Sequence, residues 1–359
     1  MMVVFLFGCA GKNAGNVSPK ENTAENSPEY TSEYISETAT DSDGSVAGEK
    51  STTEADIRSS ALWNCPFTLD RQVICMYRGE NWQIPVLYQD SDASAADGSG
   101  PASSIEWTSS DPDIVSVDRE GNLFGEKEGH AVITGKNGVS EASLCVNVYS
   151  GNSSGSWWDM EMLVFPDQVR IYRNFDQSAY EYGDWSDYVS WHGCAACCTT
   201  TAVRAWYPEE EWTPEGIVSQ LEPEANRAGW DKNYAKSLAK QMPLSLKGIS
   251  RVLELKEIPH IYVDRFDKDT LEDDLKDYLK TGGPIIYEAG NGGYHMMMIL
   301  GLTPQDEVLV SDSVGFSRVI RMPLSTVAGQ MFSSKDEPKS SYFSGRKTSG
   351  GYIKVGVDE

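Results

Sequence analysis

The stretch Ser190-Trp191-His192-Gly193-Cys194-Ala195-Ala196-Cys197-Cys198-Thr199-Thr200-Thr201-Ala202-Val203-Arg204-Ala205-Trp206 governs how the C-terminal half of the chain folds. A Gly-Cys step opens a run of small residues with helical spacing, which predicts a helix from Gly193 to Trp206 with Cys194 at its N-terminus. Unpaired amides and the macrodipole at that end favour a thiolate, so a nucleophilic cysteine belongs there. Further on, the chain supplies a histidine on an apolar strand, Tyr294-His295-Met296-Met297-Met298-Ile299-Leu300-Gly301. An aspartate ends the next strand, Val308-Leu309-Val310-Ser311-Asp312. Thiol, imidazole and carboxylate in that order are the parts of a thiol hydrolase.

Between His295 and Asp312 the chain turns at Thr303-Pro304-Gln305-Asp306, so the two strands form a hairpin. A turn centred near Pro304 and Gln305 places Asp312 opposite about Met297, one diagonal step from His295 on the same face. Diagonal neighbours approach to about 7 Å between β-carbons, within reach of a carboxylate-imidazole hydrogen bond. The aspartate can then fix the imidazole tautomer and favour its protonated form, which a thiolate-imidazolium pair requires.

Around this stretch the predicted elements are helices followed by strands. A strand is expected at Gln168 to Tyr172, and helices at Thr213 to Leu221, Tyr234 to Gln241, Leu244 to Leu255 and Asp269 to Thr281, the last capped by Asp269. Strands are expected at Ile258 to Val263, Pro284 to Tyr287, Tyr294 to Gly301, Val308 to Asp312 and Phe316 to Pro323. Helices first and antiparallel strands afterwards make an α+β domain over residues 157–359, with the cysteine helix packed on a sheet. Upstream, residues 151–156 are Gly, Asn and Ser and read as a flexible linker.

Residues 61–150 read as an all-β domain. Ile105 to Asp118 alternates apolar and polar residues on each side of Ser109-Ser110-Asp111-Pro112, and further short strands run through Leu123, Gly129 to Gly135 and Ala142 to Val148. This spacing predicts an antiparallel sandwich. Residues 10–60 are Ser, Thr, Glu, Asp, Asn, Gly and Ala with few aliphatics, and cannot bury enough apolar surface to offset ordering entropy, so a disordered acidic linker is expected. At 359 residues the chain suits two domains and a tail, and its formal net charge of −24 argues against nucleic acid as a partner.

Three resemblances sharpen this plan. Residues 1–9 end in Leu6-Phe7-Gly8-Cys9, which resembles a bacterial lipoprotein signal and implies lipidation at Cys9, an extracellular location on the bacterial cell surface, and membrane contact only through that anchor. Trp107 to Val148 resembles the bacterial Ig-like domain of group 2, with Trp107, the Val117-Asp118 to Gly121 turn, Gly129 to Ile133 and the final Val146 to Val148 strand in the family's order. Such domains are spacers or adhesive modules.

From Val169 to Val355 the chain resembles the bacteriocin-processing, double-glycine-type cysteine peptidases of the papain-like clan. The residues that carry it are Gln177, Gly193-Cys194, Gly282-Gly283-Pro284-Ile285-Ile286, Gly293-Tyr294-His295 through Gly301, and Ser311-Asp312-Ser313. The resemblance implies that Cys194 is the nucleophile, His295 the general base, Asp312 the orienting acid and Gln177 an oxyanion-hole donor beside the Cys194 amide. Ala195-Ala196 stands where that family has Gly-Pro, and Ser313 where it has proline. The implied substrate is a peptide or protein, with no cofactor and no metal; nothing in the sequence specifies an oligomeric state.

The same residues admit rival readings. Cys194-Ala195-Ala196-Cys197 is also a redox or zinc signature, but no βαβ pattern surrounds it and no second ligand pair completes a zinc site. Cys197 and Cys198 lie one helical turn on and read as small core residues, while His130, His192 and His260 read as surface or structural. Cys65, Cys75 and Cys145 permit one bridge, of which Cys65 to Cys145 is conceivable if they lie on the first and last strands. A cell-wall amidase would place its reactive groups closer in sequence. The non-enzyme alternative is an inactive papain-like domain serving as a cell-surface adhesion or binding module.

Overall fold

The computed structural model describes residues 66–88, 105–150, 159–178, 189, 193–217, 246–290, 295–314, 319–333 and 350–356. The signal, the acidic linker, Cys65, the Gly/Ser linker, His192 and the helix expected at 234–241 lie outside these residues. The architecture is strand-rich, with several sheets and a few helices.

The N-terminal part carries β1 (Phe67–Leu69), β2 (Val73–Tyr77), β3 (Asn81–Gln83), β4 (Val86–Tyr88), β5 (Glu106–Ser109), β6 (Val115–Val117), β7 (Asn122–Gly125), β8 (Gly129–Lys136) and β9 (Glu141–Tyr149). One sheet has the order β2-β9-β8-β5, a second β3-β7-β6, and β1 pairs with β4. Ile74, Met76, Val115, Leu123, Ile133, Leu144 and Val146 fill the space between the two larger sheets.

One pairing corrects the antiparallel expectation: β2 and β9 run parallel, from Val73 opposite Cys145 to Tyr77 opposite Tyr149. β2 and the Leu144–Tyr149 part of β9 are buried on both faces, which is why β2 reads as a continuous apolar run and not as alternation. Leu144, Val146 and Val148 point into the sandwich; Cys145 and Tyr149 join a second core shared with the rest of the chain. Cys75 and Cys145 carry free thiols, so Cys145 is not bridged as the sequence allowed.

After the sandwich, β10 (Met160–Phe165) and β11 (Gln168–Tyr172) form a hairpin. The helices α1 (Cys194–Trp206), α2 (Pro214–Gly216) and α3 (Leu246–Leu255) follow. Then come β12 (His260–Val263), α4 (Leu271–Leu279), β13 (Ile285–Ala289), β14 (His295–Leu302), β15 (Glu307–Ser311), β16 (Val319–Pro323), α5 (Leu324–Gln330) and β17 (Tyr352–Val355). The six strands β12-β17-β13-β14-β15-β16 make one antiparallel sheet.

That sheet has helices on both faces. Met296, Met298 and Leu300 pack toward α1 and α3, while Met297, Ile299 and Leu302 pack toward α4 and α5. Burial on two faces explains the unbroken apolar run of β14. The expected elements at α1, α3, α4 and β11 to β16 are present, with ends shifted by a few residues at most, whereas β10, α5 and β17 were not anticipated. Asp269 does not cap α4: Thr270 occupies that position, with no side-chain cap bond, and Asp267 Oδ1 accepts from the Asp269 amide instead.

Candidate active site

Helix α1 is buried on nearly every side, with Arg204 and Trp206 its two less buried residues. A helix so enclosed needs small residues and must satisfy its own hydroxyls, and Thr199 and Thr200 donate to the Ala195 and Ala196 carbonyls at 2.7 Å each. Gly193 precedes the helix because a β-carbon there would lie 2.3 Å from the Val189 carbonyl oxygen. That close approach admits no side chain, and it sets Cys194 at the first helical position with only 4% of its surface exposed.

His295 and Asp312 are brought together by the β14–β15 hairpin. Leu302 pairs with Val308 and Gly301 with Leu309; after an irregularity at Leu300, Ile299 pairs with Val310 and Met298 with Ser311. Continued one step, this register puts Asp312 opposite Met297. The turn position read from the sequence leads to the same register by a different route, because the turn is centred on Gln305, half a position later than expected, and the bulge removes the resulting one-residue offset. Without that bulge Asp312 would fall opposite Met298, whose side chain belongs to the other face.

The outcome is a 2.6 Å hydrogen bond between His295 Nε2 and Asp312 Oδ1, with the two side chains 17% and 13% exposed. Asp312 Oδ1 also accepts from the Val314 amide at 2.9 Å. The other ring nitrogen, Nδ1, is buried and makes no hydrogen bond of ordinary geometry, and the second side chain acting on the ring is Cys194. Burial alone would push the imidazole down; the Asp312 charge and hydrogen bond, with Cys194, outweigh it and hold the ring well above the usual histidine range.

Gln177 belongs to the same cluster. Its backbone amide donates to the Ser313 carbonyl at 3.1 Å, and its Oε1 accepts from the Ser313 hydroxyl at 3.0 Å. Nearby, Ser311 Oγ donates to Asn174 Oδ1, and Thr201 Oγ1 of α1 donates to the Arg173 carbonyl at 2.7 Å. The 173–177 segment is therefore stitched to both the helix that carries the thiol and the strand end that carries the carboxylate. Ser313 is what clamps Gln177. Asn174 was not singled out, and Ser311 and Ser313 were named only as the flanks of Asp312, with no part in holding Gln177; the signal available was a polar Ser-Asp-Ser triplet closing an apolar strand.

Burial pushes Cys197 and Cys198 well above the ordinary thiol range, reinforced by Cys194 and by the Asp312 charge. Both thiols are fully packed, as the core reading had them, and Cys194 and Cys197 are not joined by a disulfide. His260 is held by Ser250 Oγ at 2.8 Å and the Ile258 carbonyl at 2.9 Å, a structural arrangement. Among the described residues no group of three or more His, Cys, Asp or Glu side chains could hold a metal, and no helix is long and apolar enough to cross a membrane.

The described residues thus define a connected thiol, imidazole and carboxylate with an amide side chain alongside. No protein-family model and no curated protein matches the chain. Among solved structures, the S-layer protein SbsC domains 4 and 5 match at 24% identity over 23% of this chain and 51% of that one, with a TM-score of 0.19. A longer piece of the same S-layer protein, rSbsC(31-844), matches at 20% identity over 30% of this chain and 15% of that one, with a TM-score of 0.20. The chain spans about half of the first of these structures and far less of the second. At such TM-scores the likeness carries no argument about fold or role.

Proposed function

We propose that the chain is a cysteine peptidase-like hydrolase of the papain-like class, cleaving peptide bonds through Cys194, His295 and Asp312. The observation that carries this reading is the 2.6 Å His295–Asp312 bond with Cys194 acting on the same ring. His295 takes the Cys194 proton, and the resulting imidazolium is held by the Asp312 carboxylate. The thiolate attacks the scissile carbonyl carbon, and the oxyanion is received by the Cys194 amide and the Gln177 side chain. His295 then gives its proton to the leaving amine, and water, deprotonated by the same ring, releases the acid product and restores the thiol.

The N-terminal sandwich and the Leu6-Phe7-Gly8-Cys9 signal extend the reading to an Ig-like module and a lipid-anchored protein on the bacterial surface. The test is covalent labelling with iodoacetamide or an epoxide peptidase probe, followed by hydrolysis of unfolded peptides and peptidoglycan fragments. Labelling concentrated at Cys194 and abolished in His295→Ala, together with peptide cleavage, supports the peptidase. Labelling indifferent to His295→Ala, with no hydrolysis of either substrate, refutes it in favour of a binding module.

A further inference from the structure

The N-terminal sandwich is not held at a distance from the site. Its strand β2 lies against the hairpin that carries His295 and Asp312, and the two share one core. The Gln72 and Val73 amides both donate to the Lys280 carbonyl, at 2.8 and 3.3 Å. Arg71, only 6% exposed, donates to the Thr303 carbonyl at 3.3 Å and lies 3.5 Å from Asp306 Oδ1, so it grips both ends of the β14–β15 turn. Arg321 of β16 spans the same junction, reaching Glu80 of the sandwich and Glu307 of β15 at 2.5 Å each.

A close approach falls beside the bulge. A β-carbon at Gly301 would lie 2.5 Å from Cys75 Sγ, and that sulfur is fully buried with Met162 Sδ 3.6 Å away, so it has nowhere to swing. Gly301 is thus glycine because a residue of the sandwich occupies its side-chain space. The bulge it flanks sets which face Asp312 takes. A spacer needs none of these contacts.

Resting on the peptidase reading, we propose that the sandwich positions the His295–Asp312 pair, with Arg71 and Gly301 as positioning residues that act through the β14–β15 register and Cys75 filling the space beside Gly301. None of them touches the reacting atoms. Their effect is to hold the bulge and turn from which the hairpin runs to the site.

The test is a double-mutant cycle on full-length protein. Gly301→Ala is expected to slow iodoacetamide labelling of Cys194 at least tenfold and to lower the alkaline limb of its pH profile, because small displacements at a reacting pair cost on that order. Cys75→Ala alone should stay within about twofold, and Cys75→Ala with Gly301→Ala should recover to within about threefold, since neighbours in contact couple. A double variant as slow as Gly301→Ala overturns the inference, and so does a Gly301→Ala variant with wild-type labelling. If Gly301→Ala does not fold, Arg71→Gln combined with Arg321→Gln leaves the core intact and provides the test: a lowered alkaline limb supports positioning, an unchanged profile overturns it.

A second readout separates this inference from the peptidase reading. The imidazole N–H proton resonance of His295, assignable among four histidines, reports the hydrogen bond to Asp312 without any activity. Loss of that resonance in Gly301→Ala and its return with Cys75→Ala support positioning even if the wild-type protein hydrolyses nothing. Persistence of the resonance in Gly301→Ala overturns it.

Discussion

Replacing Asp312 by asparagine removes a charge while sparing the shape of the site. Asparagine keeps an Oδ1 that can accept from His295 Nε2 and from the Val314 amide, so the ring should stay in place. What is lost is the charge-assisted part of a 2.6 Å bond between side chains 17% and 13% exposed, where solvent screens little. A hydrogen bond to a charged group contributes about 1.5–3 kcal/mol and a neutral one about 0.5–1.5, so about 1–1.5 kcal/mol is lost, which at about 1.4 kcal/mol per decade corresponds to roughly 5- to 12-fold in the concentration of the reactive ion pair. Cys194 labelling by iodoacetamide at pH 7 should slow by that factor.

The pH dependence has a definite sign. Asp312 raises the folded-state imidazole above its unfolded value, so the imidazolium persists to higher pH in the wild-type protein. The stability gained from that shift is fully present below the unfolded histidine pKa of about 6.5 and is lost as pH rises through the raised folded value. In Asp312→Asn the alkaline limb of the labelling profile should therefore move down. The stability difference from wild type should be greatest on the acid side of neutrality and shrink as the medium becomes alkaline. Equal labelling rates with superimposable alkaline limbs would refute the proposed ion pair.

Three further outcomes are expected. Gly193→Ala should cost at least about 1–3 kcal/mol in urea unfolding and abolish labelling, because its β-carbon would meet the Val189 carbonyl at 2.3 Å. Gln177→Glu keeps an acceptor for the Ser313 hydroxyl but loses the amide donor, so peptide hydrolysis should fall by about 10²–10³ while iodoacetamide alkylation of Cys194, which builds no oxyanion, changes little. Asn147→Leu strands the Leu163 amide and carbonyl, which its side chain now pairs at 2.7 and 3.2 Å; calorimetry should show a loss of about 2–5 kcal/mol within a single transition, since sandwich and sheet share a core. Two separated transitions would contradict the shared core.

Local chemistry was readable wherever a residue's neighbours in sequence set its role. The small-residue run after Gly193 specifies a helix with Cys194 at its start, and the turn at Thr303 to Asp306 specifies a hairpin joining the histidine and aspartate strands. Period and punctuation act over a few residues, so these elements are written in the chain itself. The register at Asp312 was legible only in part: its correct value depends on a bulge beside Gly301, and nothing in the alternation of β14 announces one, because both faces of that strand are apolar.

Other features emerge only when distant surfaces meet. The parallel pairing of β2 with β9, the clamp of Ser313 on Gln177, and the seating of Cys75 in the space beside Gly301 join residues 72 to 226 positions apart. Such contacts leave no periodic trace, since each depends on which surfaces come together once the elements have formed. Residue order and spacing establish which groups are available for chemistry and on which elements they ride. How far apart those groups stand, and that the sandwich is packed against the strands that carry them, follows from burial of the shared core.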